Sequence, residues 1–296
     1  MDKSVSTVFV AIAAIAAMAA GCPAVQAQVW PDAALVASEP AVPVTLRFQP
    51  KRASIGSFSI EVQSRTAIQM LLVPKSTLMG QINIDGSFSL EPGKDGRAVQ
   101  AFHAVTASMA YYSPGAPNRE IPRETVIQTL LVSGLPAPDH PVRVSMNGHG
   151  KVVGVEGVPA SYTRYYEASL LEYTEQPLLP GDSWCTRNTI PVCIDPDGET
   201  VLCDAIATFS LLALDASSDA ASIEFSSTFF NARESASATG KIHGTSRGKI
   251  TVKQSDGSPI RSESTSNSRL DFGGGNAIDM EQRIKTAISE AHVETK

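Results

Sequence analysis

Residues 277–288 read AIDMEQRIKTAI. Ile278, Met280, Ile284 and Ile288 fall on alternate positions, and Asp279, Glu281, Arg283 and Lys285 occupy the positions between them. A helix would scatter these apolar residues around its cylinder, whereas a strand puts them all on one face. A strand with one wet face and one buried face belongs to an antiparallel sheet.

Working outward, the same period of two returns through most of the chain. Val44, Leu46 and Phe48 alternate, as do Phe58, Ile60 and Val62, and Ile82, Ile84, Phe88 and Leu90 alternate about Asp85-Gly86. Residues 97–112, 205–214, 249–252 and 260–270 have strand composition, and Ile223, Phe225 and Phe229 mark another strand. Val142, Val144 and Met146 lead into Asn147-Gly148, whose residues tolerate the positive φ of a tight hairpin. Turn chemistry separates the other runs, at residues 91–96, 195–198, 215–219 and 256–259 and at Gly273-Gly274-Gly275-Asn276.

One stretch breaks the pattern. In residues 161–176 (SYTRYYEASLLEYTEQ), Tyr162, Tyr166, Leu170 and Tyr173 recur at helical spacing, Ser161 can cap the start and Pro177 ends the run. The chain is therefore expected to be mainly β, a curved antiparallel sheet or partly open barrel with one mid-chain helix. The order of elements before and after that helix suggests a diverged duplication. The expected divisions are a signal peptide (1–27), an Ala/Pro-rich linker (28–43), a first β half (44–158), the helix and its connection (159–180), and a second β half (181–296).

The signal peptide is read from residues 8–20 (VFVAIAAIAAMAA), an uncharged run after Lys3 that is too short to span a bilayer. Val25-Gln26-Ala27 places small residues at the subsites of signal peptidase, so the mature chain is expected to begin at Gln28. A competing reading takes Ala19-Ala20-Gly21-Cys22 as a lipobox, with Cys22 lipidated and tethering the protein to a membrane. Either way the protein is exported, periplasmic or extracellular, with no transmembrane segment in the mature chain.

With 24 basic and 30 acidic residues, the chain has a formal charge of −6 and no basic stripe, which argues against a nucleic-acid partner. Of Cys22, Cys185, Cys193 and Cys203, the last three survive cleavage, so one thiol is left over. Cys193 and Cys203 flank the turn at 195–198 and form the disulfide candidate, with Cys185 an alternative partner for either.

Pro180-Gly181-Asp182-Ser183-Trp184 after the helix and Gly150-Lys151-Val152-Val153-Gly154-Val155 before it resemble motifs of an uncharacterised family of exported bacterial proteins. The resemblance implies a duplicated, curved antiparallel sheet joined by a mid-chain helix. That architecture is similar to the periplasmic lipoprotein carriers, which hold acyl chains against a concave sheet. The family brings no known activity, and fold alone does not fix function.

Gly244-Thr245-Ser246-Arg247-Gly248 matches the G-x-S-x-G elbow of serine hydrolases, with Asp256, Asp271, Asp279 and His292 downstream. The elbow exposes its serine only where a strand turns sharply into a helix, and residues 249–252 look like a strand. Gly181-Asp182-Ser183 is read as a turn opening a strand rather than as an esterase motif. The five histidines are widely spaced, Asp195, Asp197 and Glu199 lack the remaining oxygens of a calcium loop, and the glycine run lacks a following helix. No metal or cofactor is expected.

Tyrosine joins an apolar ring to a polar tip, so Tyr162, Tyr166 and Tyr173 are candidates for ligand or partner binding, against the plainer reading that they pack the helix on the sheet. The function expected is that of a noncatalytic envelope protein that binds an apolar, lipid-like ligand or an envelope partner. The alternatives are an assembly protein with no ligand site, or a serine hydrolase using Ser246.

Overall fold

The computed structural model describes residues 42–71, 73–93, 96–113, 119–132, 135–158, 163, 166–167, 170–193, 200–232 and 240–291. The segments expected to be a signal peptide, with Cys22, and nearly all of the expected linker lie outside them.

The first half of the chain supplies β1 (Ser54–Met70), β2 (Val73–Pro92), β3 (Ala98–Tyr112), the short β4 (Arg119–Glu120), β5 (Val142–Met146) and β6 (Val152–Glu156). The second supplies β7 (Ser183–Cys193), β8 (Thr200–Asp215), β9 (Ala220–Asn231), β10 (Lys241–Lys253), β11 (Pro259–Gly273) and β12 (Asn276–Ala291). All belong to one antiparallel sheet in the order β6-β5-β3-β2-β1-β12-β11-β10-β9-β8-β7, with β4 paired to β3. The chain thus begins mid-sheet, lays strands outward to one edge, crosses to the opposite edge and returns. β12 closes the circuit by pairing with β1 from Ile55↔Ala291 to Gln69↔Ala277, so the two halves are parts of a single sheet. Among the described residues, β6 and β7 are free edges and the sheet is open.

The last strand, β12, shows why the sheet is amphipathic. On β12, Met280, Gln282 and Ile284 are buried, and Glu281 between them is exposed. Register carries this alternation across the sheet: Ile284 stands opposite Val62 of β1 and Ser264 of β11, which are buried too. Each fully buried aliphatic side chain contributes about 1.5–3 kcal/mol of transfer free energy. Asp85-Gly86 is not a turn, because β2 runs straight through it with a bulge against β3. Gly86 leaves room there for the ring of Phe58, whose Cε1 would lie 2.7 Å from an added Cβ.

Two expectations need correction. Val44, Leu46 and Phe48 do not form a strand of the sheet. Val44 makes an isolated bridge to Leu178, with backbone hydrogen bonds of 2.9 and 2.7 Å, and Leu46 and Phe48 are buried in the main apolar cluster. Their period of two is real, but it records an extended segment plugging one end of the sheet. Phe48 N–H donates to the Gly148 carbonyl (3.0 Å) and Gln49 N–H to the Asp256 carbonyl (2.8 Å). Gly257, at φ 70°, lies so close to Arg47 that any Cβ would strike the Arg47 carbonyl oxygen.

The helix expected over residues 161–176 is shorter than read. Thr163, Tyr166 and Glu167 are helical, but Leu171 to Thr174 are not, and Tyr173 sits beyond the helical turn. A helix the period did not reveal, α1 (Arg123–Val132), follows Pro122. Its Val126 N–H donates to the Pro122 carbonyl (3.0 Å), and Val126 and Leu130, one turn apart, are buried in the main cluster. Thr125, Val126, Ile127 and Thr129 are β-branched, which is why the segment does not announce itself as helix.

The β7–β8 register places the cysteines of the second half along the strands. Cys193 stands opposite Thr200, and Cys203 stands opposite Ile190. Cys203 thus lies three positions, about 10 Å, along β8 from Thr200. Cys203 is a free, buried thiol, and Cys185 is a free, exposed one.

Candidate functional site

The buried face carries two apolar clusters. The larger fills the plugged end and includes Phe58, Val62, Ile84, Phe209, Leu211, Phe225, Ile250 and Ile284 with Leu46, Phe48, Leu130 and Tyr173. The smaller lies toward the other ends of the same strands and consists of Val201, Cys203, Phe229, Ile242, Leu270 and Met280.

Across the sheet runs a line of small or polar side chains, held in register from strand to strand, which passes between the two clusters on β9 to β12. Gln282 of β12 stands opposite Ser64 of β1 on one side and Ser266 of β11 on the other. Ser64 continues to Gly80 of β2, and Gly80 to Tyr111 of β3. In the other direction Ser266 continues to Ser246 of β10, and Ser246 to Ser227 of β9. Ala207 of β8 and Thr186 of β7 complete it. At about 4.8 Å per strand, the line crosses the sheet over about 38 Å.

Most of this line is shielded from solvent: Ser64, Gln282, Ser266 and Ser246 are 9%, 1%, 3% and 7% exposed. Polar atoms in such a position need partners, because a buried donor or acceptor without one costs about 1–3 kcal/mol. Among the described residues, Gln282 has none for either its Oε1 or its Nε2, and Ser246 has none for its Oγ. Next to the line, the Thr66 hydroxyl is also buried without a partner. None of the buried-face positions at 58–68 of β1, 221–229 of β9, 242–252 of β10, 262–270 of β11 and 278–288 of β12 is charged. These positions offer neutral hydrogen-bonding groups between apolar walls and no charge.

The charges lie on the other face. Arg269 pairs with Asp279 at 2.9 Å, and Arg283 pairs with Glu263 at 2.9 Å, both across β11 and β12. An outer groove of about 700 Å³ is lined by Arg65, Lys75, Phe230, His243, Arg269 and Asp279. Phe230 at its wall is 41% exposed.

Of the residues singled out in the sequence, Tyr162 lies outside the described residues. Tyr166 and Tyr173 are both held in packing, and burial pushes each phenol above its ordinary pKa. The Tyr173 hydroxyl donates to the Gly257 carbonyl at 2.7 Å and its N–H to the His149 carbonyl at 2.7 Å, so it pins the connection onto the plugged end. Nearby, Trp184 stacks on Phe209 at 5.4 Å and donates its indole N–H to the Glu172 carbonyl at 2.8 Å. Gly181-Asp182-Ser183 is a turn opening β7, with Asp182 accepting the Leu179 N–H at 2.7 Å.

Ser246 is not at an elbow. Residues 244–248 lie wholly within β10, paired to β9 on one side and β11 on the other. His243 is an odd number of positions away and so faces the other side. His292 lies outside the described residues. The sequence analysis missed Gln282 of β12, which is as buried as Met280 and Ile284 on either side of it. Its signal was a polar residue at an apolar position of the period.

No protein-family model matches the chain, and no curated protein matches it in sequence. Among solved structures, one described as lipid–protein interactions in lipovitellin is similar over 84% of this chain at 14% identity, with a TM-score of 0.45. The chain spans 26% of that protein's length. DynF of the dynemicin biosynthesis pathway of Micromonospora chersina is similar over 90% of this chain and 89% of its own, at 9% identity and a TM-score of 0.21. OccK7 of Pseudomonas aeruginosa is similar over 82% of this chain and 100% of its own, at 8% identity and a TM-score of 0.24. Among the described residues, no helix is long and apolar enough to cross a membrane, which says nothing of strands.

Proposed function

We propose that this protein is a noncatalytic, exported binding protein of the bacterial envelope that holds an apolar, lipid-like ligand against the buried face of its sheet. The observation that carries the reading is Gln282, a neutral amide buried between two apolar clusters with no partner among the described residues for either polar atom. A face built only to be filled by its own side chains gains nothing from such a group, whereas a ligand with an apolar body gains both walls and an anchoring point. The absence of charge from the same positions of five neighbouring strands supports the same reading.

Native mass spectrometry of protein purified from envelopes without detergent tests it directly. The expected result is a co-purifying lipid, or uptake of added long-chain lipid by emptied protein. Emptied protein that takes up none would overturn the proposal and favour an assembly role. The same spectra test export: a mature chain beginning at Gln28 fits cleavage after Ala27, whereas one beginning at an acylated Cys22 fits membrane anchoring, and an uncleaved chain refutes export.

A further inference from the structure

The buried face also carries information on the head of the ligand. We infer that it is selective for long-chain ligands bearing a neutral carbonyl, such as an ester, over ligands ending in an ionised carboxylate or phosphate. This inference rests on the lipid-binding reading above. Gln282 supplies a buried N–H donor that has no acceptor, and its carbonyl supplies an acceptor that has no donor. Ser246, two strands away and about 10 Å distant, adds a hydroxyl without a partner. A neutral carbonyl placed against Gln282 receives the amide hydrogen, and its chain runs along Met280 or Ile284 into one of the two clusters.

An anionic head fares differently at the same place. Bringing an ion out of water is costly unless an opposite charge or a dense set of donors replaces the hydration shell. The nearest cations on these strands, Arg283 and Lys285 of β12 and Arg269 of β11, sit at odd positions and therefore on the outer face. Arg283 and Arg269 are already engaged by Glu263 and Asp279. The only charge-free way to accept a fatty acid is to protonate it, which is unfavourable well above the carboxylate pKa.

Competition at pH 8 between methyl hexadecanoate, hexadecanoate and hexadecane, delivered together from cyclodextrin to emptied full-length mature protein, tests the inference, with bound species counted by native mass spectrometry. The ester is expected to outcompete the acid and the alkane by about tenfold each, since one buried hydrogen bond made or lost changes binding by about that factor. Gln282→Leu and the longer Gln282→Met should both still load, with the preference for ester over alkane reduced to near parity; a single folded variant of the two suffices. Preference for the acid, or an ester-over-alkane preference that survives loss of the amide, overturns the inference and leaves the binding reading standing. Failure of all three ligands to load overturns the binding reading itself.

Discussion

Replacing Gln282 by leucine should make the empty protein more stable. Both polar atoms of its side chain are buried without a partner, and the residue is 1% exposed. Its strand neighbours, Ser64 and Ser266, are small, so a branched apolar side chain can be accepted without displacing backbone. Removing an unsatisfied buried amide returns about 1–3 kcal/mol, and fitting the slightly bulkier, branched leucine takes back a fraction of that, for a net gain of about 2 kcal/mol. Urea denaturation of delipidated protein reads this as a midpoint increase of about 0.7 M, taking a slope near 3 kcal/mol per M. Thermal unfolding should rise by about 4–8 °C, as expected for a chain of this size. The variant that gains stability should lose ligand discrimination, the exchange expected where a group is retained for function. An unchanged or lower midpoint for Gln282→Leu would refute the reasoning, because it would mean that the amide finds its partners within the empty protein.

Three other perturbations probe the frame around this site. Ile284→Ala, next on the same face and 0% exposed, should cost about 2–5 kcal/mol in the same urea assay, and a cost below 1 kcal/mol would mean that the face is not packed there. Tyr173→Phe removes the 2.7 Å hydrogen bond to the Gly257 carbonyl and should cost about 1–2 kcal/mol, with faster proteolysis of the 171–180 connection as the local readout; an unaltered proteolysis rate would exclude the anchoring role. With a neutral maleimide at pH 8, Cys185 should be labelled in the native protein and Cys203 only after unfolding, because burial, reinforced by the Asp204 carboxylate, pushes the Cys203 thiol up to about 12. The folded form therefore keeps that thiol protonated across the working range, and native labelling of Cys203 by peptide mapping would contradict its placement.

The architecture was legible wherever apolar and polar residues alternate with contrast. β12 announces itself through Ile278, Met280 and Ile284, and the hairpin at Gly273-Gly274-Gly275 follows from residues that tolerate positive φ, observed at all three; the hairpin signalled by Asn147-Gly148 also forms, with its positive φ at Gly150 instead. The contrast is missing in β11, where Ser262, Ser264, Ser266 and Ser268 occupy the buried face and Glu263, Thr265 and Asn267 the other. A wholly polar run has a period without a sign, so the sequence could not say which serines were inside. The segment at 44–48 kept its period but not its pairing, since extended chain in a plug and extended chain in a ladder alternate alike. The tyrosines drew attention by size and spacing, yet Tyr173 spends both its ring and its hydroxyl on holding the connection in place. Gln282, one polar letter in an apolar series, required its neighbours on β1 and β11 before it could be recognised as part of a line.

That line has a second physical reading, as a device for register. Long strands such as β1 and β12 can slip by two residues without changing which face is buried, and a polar row aligned across the sheet penalises such a slip by setting serines against isoleucines. Ser64, Ser266 and Ser227 suffice for that purpose, because small hydroxyls mark the row at little cost. Gln282 does not fit a register role. It is longer than its neighbours, it reaches past them from the middle of the sheet, and neither of its polar atoms is used by the fold. A serine at 282 would have kept the row and avoided the penalty of the buried amide. The choice of glutamine at the centre, where the two apolar clusters meet the line, is intelligible when the amide's partner comes from outside the chain.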